Sequence, residues 1–107
     1  MAITSTFLSN VTVSIFTSEG SNAVTSAYFC NTGDRIAYLT VHAVPKNQVA
    51  DDNNIIYYQV PINIQDTYIL DTEKIILEDG DGLFATIEHN WSSDDSKVIA
   101  TVSTIGI

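Results

Sequence analysis

Lys74–Asn90, KIILEDGDGLFATIEHN, is the stretch that decides the fold. Two apolar runs, Ile75-Ile76-Leu77 and Leu83 to Ile87, flank the acidic, glycine-rich turn Glu78-Asp79-Gly80-Asp81-Gly82. Gly80 and Gly82 carry no Cβ and are free to take positive φ, and aspartates accept from nearby backbone N–H groups, so a sharp reversal is expected here. Beyond the turn, Leu83, Ala85 and Ile87 alternate with Phe84, Thr86 and Glu88, which is the two-residue period of a strand. A strand, a corner and a second strand leave an apolar face bare. The rest of the chain must therefore supply an opposing layer.

Working outward, the same pattern recurs. Val11 to Phe16 alternates, with Val11, Val13 and Ile15 on one face, and stops at the turn formers Ser18-Glu19-Gly20-Ser21-Asn22. Ala23 to Asn31 follows, with Val24, Tyr28 and Cys30 opposite Ala27 and Phe29. Asn31-Thr32-Gly33-Asp34 is short enough to join it to Arg35–Val44 as a hairpin, with Gly33 left-handed. Residues 45–53 form a long polar connection, the kind of loop that often carries function. Ile55 to Ile62 is a further strand, in which Pro61 marks a sheet edge or the strand's end because it cannot donate to a ladder. Thr67–Leu70, the loop 91–96 and a closing strand from Val98 to Ile105 complete the chain. No stretch repeats at 3.6 residues with helix caps. The expectation is one all-β domain, an antiparallel β-sandwich or jelly roll of about eight strands over 11–107, with 1–10 as an N-terminal arm or edge strand.

Composition narrows the function classes. A chain of 107 residues with 45% hydrophobic content can bury a core without metals or disulfides. Its single cysteine, Cys30, has no intrachain partner and is expected to be a small buried hydrophobe. The net charge is −9, and the four basic residues Arg35, Lys46, Lys74 and Lys97 are scattered singly. Nucleic acids and anionic membranes need clustered positive charge, so neither is an expected partner. Residues 1–10 have neither the basic start nor the apolar run of a secretory signal, which points to synthesis and folding in a cytoplasm.

Candidate chemistry is sparse. Glu78, Asp79 and Asp81 offer oxygen ligands suited to calcium, although their spacing is not that of an EF-hand; solvated turn residues are the plainer reading. Asp51-Asp52-Asn53-Asn54 and Asp94-Asp95 are similar acidic tips. His42, His89 and Cys30 lack the spacing of a metal site, and no nucleophile elbow or phosphate loop is present, so no enzyme is expected. Adjacent Tyr57 and Tyr58 must point to opposite faces; with Tyr38, Tyr68 and Trp91 they are candidates for a sugar-stacking or protein-binding patch.

The order of features resembles small all-β virion structural proteins of tailed bacteriophages, of the marine and cyanobacterial type. The resemblance rests on Ala27–Asn31 with its glycine turn, the alternating Leu39–His42, Pro61-Ile62, Tyr68-Ile69-Leu70, the corner Leu77-Glu78-Asp79-Gly80-Asp81 and the Val98–Ile107 strand. It spans about residues 11–107, and Gly82 after Asp81 departs from its pattern. The resemblance implies a non-enzymatic subunit, in a capsid decoration, neck, tail or baseplate position, located in the virion after synthesis in the host cytoplasm. Its partners would be other virion proteins and further copies of itself, with no cofactor. Phe7, Leu8, Tyr57, Tyr58, Trp91, Ile105 and Ile107 are the candidate interaction residues, the terminal ones by strand addition to a neighbour. The other class kept open is a β-sandwich carbohydrate-binding module that stacks sugars on Trp91 and the tyrosines, with calcium at the acidic turn.

Overall fold

The computed structural model describes residues 2–33, 35–70, 75–88 and 98–107. These form nine strands and, among the described residues, no helix. In chain order the strands are β1 (Ala2–Leu8), β2 (Val13–Thr17), β3 (Asn22–Asn31), β4 (Ala37–Val44), β5 (Ile55–Ile62), β6 (Thr67–Leu70), β7 (Ile75–Leu77), β8 (Gly82–Glu88) and β9 (Val98–Gly106). One sheet runs β1-β9-β3-β6, with β7 also on β3, and the other runs β2-β8-β4-β5. All pairs are antiparallel. Most successive strands cross from one sheet to the other, and only β4 and β5 are sequential neighbours joined by a direct hairpin. This is the strand order of a jelly roll, in which the two sheets close around one core.

The alternation read from the sequence is what fills that core. Ala37, Leu39 and Val41 of β4, Leu83, Ala85 and Ile87 of β8, and Val98, Ala100 and Val102 of β9 are buried together with Phe29, Leu8 and Ile15. Each fully buried branched or aromatic side chain contributes roughly 1.5–3 kcal/mol relative to exposure.

Two local expectations are corrected. Ala23–Asn31 and Arg35–Val44 do not form a hairpin: β3 and β4 lie in different sheets, so the chain changes sheet after Asn31. Asn31 directs the crossing. Its fully buried amide donates to the carbonyls of Arg35 (2.9 Å) and Ile62 (3.1 Å), and its Oδ1 accepts from Gly33 N–H at 2.9 Å. Val24 faces the core with Ala27 and Phe29 rather than sharing a face with Tyr28 and Cys30, because a bulge between Val24 and Ser26 shifts the register and reverses the alternation.

The central turn also differs from its reading. It carries the chain from β7 in one sheet to β8 in the other. Gly80 has positive φ, at 89°. Gly82 does not, and is required for space: a Cβ there would meet the Phe16 carbonyl oxygen at 3.2 Å. Within 1–10, expected as an arm or edge strand, Ala2–Leu8 lies at the edge of its sheet. β1 pairs with β9 along its whole length and seats Leu8 in the core, so the sandwich begins at Ala2.

Candidate functional site

The acidic turn is built as a clamp between loops. Asp81 spends both carboxylate oxygens on backbone donors: Oδ1 accepts from Lys46 N–H at 3.0 Å and Oδ2 from Glu78 N–H at 3.1 Å. Asp79 Oδ1 accepts from Gly20 N–H at 2.9 Å, and its other oxygen lies 3.7 Å from Lys46 Nζ. Ser18, buried beneath, exchanges backbone bonds with Gly80 and Asp81 and donates its hydroxyl to Gly20 O at 2.7 Å. The carboxylates therefore replace missing ladder partners at the corner. Among the described residues no group of three His, Cys, Asp or Glu side chains converges as a metal site would require. Asp94-Asp95 lie outside the described residues.

A second polar cluster organises the loop between β4 and β5. His42 is buried on β4, and its Nδ1 lies 2.9 Å from Asn54 Oδ1 and 3.0 Å from Asp51 O. Both neighbours are acceptors, so Nδ1 carries the proton. Asn54 is fixed in turn: its Oδ1 also accepts from Asp51 N–H and its Nδ2 donates to Val49 O. The long polar connection is thus pinned to the sheet by its own side chains. His42 serves there as a tether.

The outer face of the β1-β9-β3-β6 sheet is different in kind. Antiparallel register sets four rows across it. Phe7 stands beside Ile99 and Ile99 beside Cys30; Ser5, Thr101, Tyr28 and Ile69 form the next row; Ile3, Ser103 and Ser26 form the third; Ile105, Ala23 and Ile76 form the fourth. Ile3 (72% exposed), Phe7 (64%) and Ile76 (57%) stand well out from it, with Ile69, Ile105 and Tyr28 also exposed. No charged side chain lies on these strands, and Glu88 on the opposite sheet is the only Asp, Glu, Lys or Arg on any of the nine. Val11, Ile36, Val49 and Ile64 are exposed singly in the connections, which is ordinary. A sheet face of mixed apolar and hydroxyl side chains without charge, on a chain of net charge −9, is not ordinary.

The candidate residues distribute unevenly over this geometry. Phe7 and Ile105 lie on the uncharged face, and Ile107 is exposed just past it, its N–H on Ser21 O at 3.0 Å. Leu8 is corrected: with 0% exposure it belongs to the core, because β1 turns it to the opposite side from Phe7. Tyr57 packs on the core while Tyr58 is 66% exposed, one to each face as their adjacency requires. Cys30, expected inside, is half-buried on the outer face beside Ile99. Trp91 and His89 lie outside the described residues. The sequence reading missed Tyr28, Ile69 and Ile76 as surface residues. The signal was available in the charge pattern, since outward positions of the first, third and last strands carry hydroxyls and apolar groups where a solvated strand carries lysine or glutamate.

Two surface depressions are small. One of about 290 Å³ is lined by Phe16, Thr17, Glu19, Asn22 and Thr104, and another of about 180 Å³ by Pro45, Ile75, Leu77 and their neighbours. Neither gathers an acid–base pair with a nucleophile. Comparison with protein-family models, curated proteins and solved structures gives no match to this chain.

Proposed function

We propose that the protein is a non-enzymatic structural subunit of a tailed-phage particle, docked through one sheet of its sandwich against neighbouring virion proteins. The observation that carries this reading is the uncharged outer face of the β1-β9-β3-β6 sheet, with Ile3, Phe7, Ile69 and Ile76 exposed on it, on a strongly acidic chain. Water-facing Ile3, Phe7, Ile69 and Ile76 gain by burial, and no charge has to be desolvated to cover them. The resemblance in the order of sequence features and in the corner motif supplies the virion context. Jelly rolls serve both capsids and lectins, so the surface, more than the fold, favours assembly. The test is co-expression with the particle genes adjacent to its own. The protein should sediment with purified particles, and Tyr28→Glu/Ile69→Glu, two exposed positions, should leave a folded protein in the supernatant. A wild-type protein absent from every particle fraction would overturn the reading.

The carbohydrate-binding reading has one observation in its favour. Tyr38 and Tyr58 are both exposed on the β4-β5 side of the other sheet, where aromatic rings can stack on sugars. Binding on a glycan array that Tyr58→Ala abolishes would select it.

A further inference from the structure

We infer that β1 is a self-pairing edge, and that two copies of this chain join by antiparallel β1–β1 addition about a two-fold axis at Ser5. The inference goes beyond the assembly reading, which concerns the face of the sheet; it names a second copy of the chain as the partner at one edge. The four outer edges of the sandwich are not equivalent. β2 is five residues long and bulged between Ser14 and Phe16. β5 carries Pro61, two register shifts against β4, and Gln59 at a φ of 49°. β6 and β7 are four and three residues long and share one edge in two separate pieces. Each carries a feature that blocks pairing with another strand. β1 carries none: its seven residues pair with β9 in unbroken register, without proline, charge or bulge, and among the described residues no strand pairs with its other side.

The sequence of that edge identifies the occupant. Ile3-Thr4-Ser5-Thr6-Phe7 reads the same in character from either end. Antiparallel pairing centred on Ser5 sets Ile3 against Phe7 of the second copy, Thr4 against Thr6, and Ser5 against Ser5, with the two apolar pairs on the exposed outer face. Directly opposed apolar and hydroxyl pairs of this kind stabilise antiparallel strands. A self-complementary patch is what an isologous two-fold contact requires. Two acidic chains can approach each other only where charge is absent, and β1 with β9 behind it offers that. The result is one continuous sheet running through both copies, β6-β3-β9-β1-β1-β9-β3-β6.

The test uses a Cys30→Ser background with a single cysteine added at Ser5 or, as a control, at Thr101, one strand further in on the same row. Residues directly opposed across two antiparallel strands have Cβ atoms about 4.5–5.5 Å apart, close enough for a disulfide to form with a small shift. Ser5→Cys should oxidise to a covalent dimer and Thr101→Cys should not. Light scattering across a concentration series should give twice the chain mass for the wild type and a single chain for Ser5→Lys, which opposes two like charges at the axis. A wild-type monomer whose Ser5→Cys variant stays uncross-linked overturns the inference. So does a dimer that Ser5→Lys leaves intact, while incorporation into particles would still stand or fall separately. If Ser5→Lys fails to fold by circular dichroism, the cross-linking result alone decides.

Discussion

Asn31 shows how much a single polar side chain can fix in a mainly apolar interior. It is fully buried, yet each of its side-chain polar groups is used: the amide on Arg35 O and Ile62 O, the carbonyl on Gly33 N–H. Its backbone N–H is spent too, on Asp66 O at 2.9 Å. Asn31→Leu keeps the volume and strands the Ile62 carbonyl and the Gly33 N–H away from water, while the Arg35 carbonyl stays within reach of solvent. Leaving a buried group unsatisfied costs about 1–3 kcal/mol, so we expect a loss of roughly 2–4 kcal/mol, a midpoint fall on the order of 10–20 °C in thermal unfolding. A change under about 0.5 kcal/mol would mean that water replaces the amide. Asp81 belongs to the same class. Asp81→Ala frees the N–H groups of Lys46 and Glu78 at a partly exposed site and should cost about 1–2 kcal/mol. Because those oxygens are already engaged, millimolar calcium or a chelator should leave the melting temperature of the wild type unchanged; a calcium-dependent rise would assign the turn a metal after all.

At the scale of elements, strand existence was legible and strand partnership was not. Alternation places Leu39 or Ile87 on an inner face, but says nothing about which strand lies alongside. A four-residue turn at 31–34 suits a hairpin as well as a crossing between sheets, and only the buried amide of Asn31 distinguishes them. The bulge that turned Val24 inward leaves no trace in composition. Of the candidate site, Phe7 and Ile105 could be read from the terminal segments, whereas the face they join depends on register from β3, β6 and β7, elements distant in sequence. The first strand also changes what a truncation means. β1 brings Leu8 into the core and its following residue, Ser9, accepts from Ile87 N–H at 3.0 Å. Removing residues 1–8 therefore exposes β9 and opens the core, and we expect a protein that fails to show cooperative unfolding. Were such a truncation to melt cooperatively near the wild-type temperature, β1 would be an appendage and the single-layered reading of its role would be wrong. Point changes at Ser5 or Phe7, which face outward, are the suitable probes of assembly.

The whole molecule separates its charge from its apolar surface. Among the described residues every acid except Glu88 sits in a connection between strands, and the strands themselves carry only Glu88. Such a distribution sets the sign of a salt effect. Copies of net charge −9 repel at long range, and an interface made of Ile, Phe, Thr and Ser has no ion pairs to lose when salt is added. The Debye length falls from about 30 Å at 0.01 M to about 8 Å at 0.15 M, so added salt removes the repulsion and leaves the apolar contact intact. Association of copies should accordingly tighten several-fold between about 0.02 and about 0.3 M sodium chloride, mainly through faster encounter, as sedimentation velocity at fixed protein concentration would register. An interface that used the acidic loops against Arg35 or Lys46 would behave in the opposite way and loosen with salt. Weakening on salt addition would move the contact from the uncharged sheet to the loops, and the direction of that one dependence separates the two surfaces without any mutation.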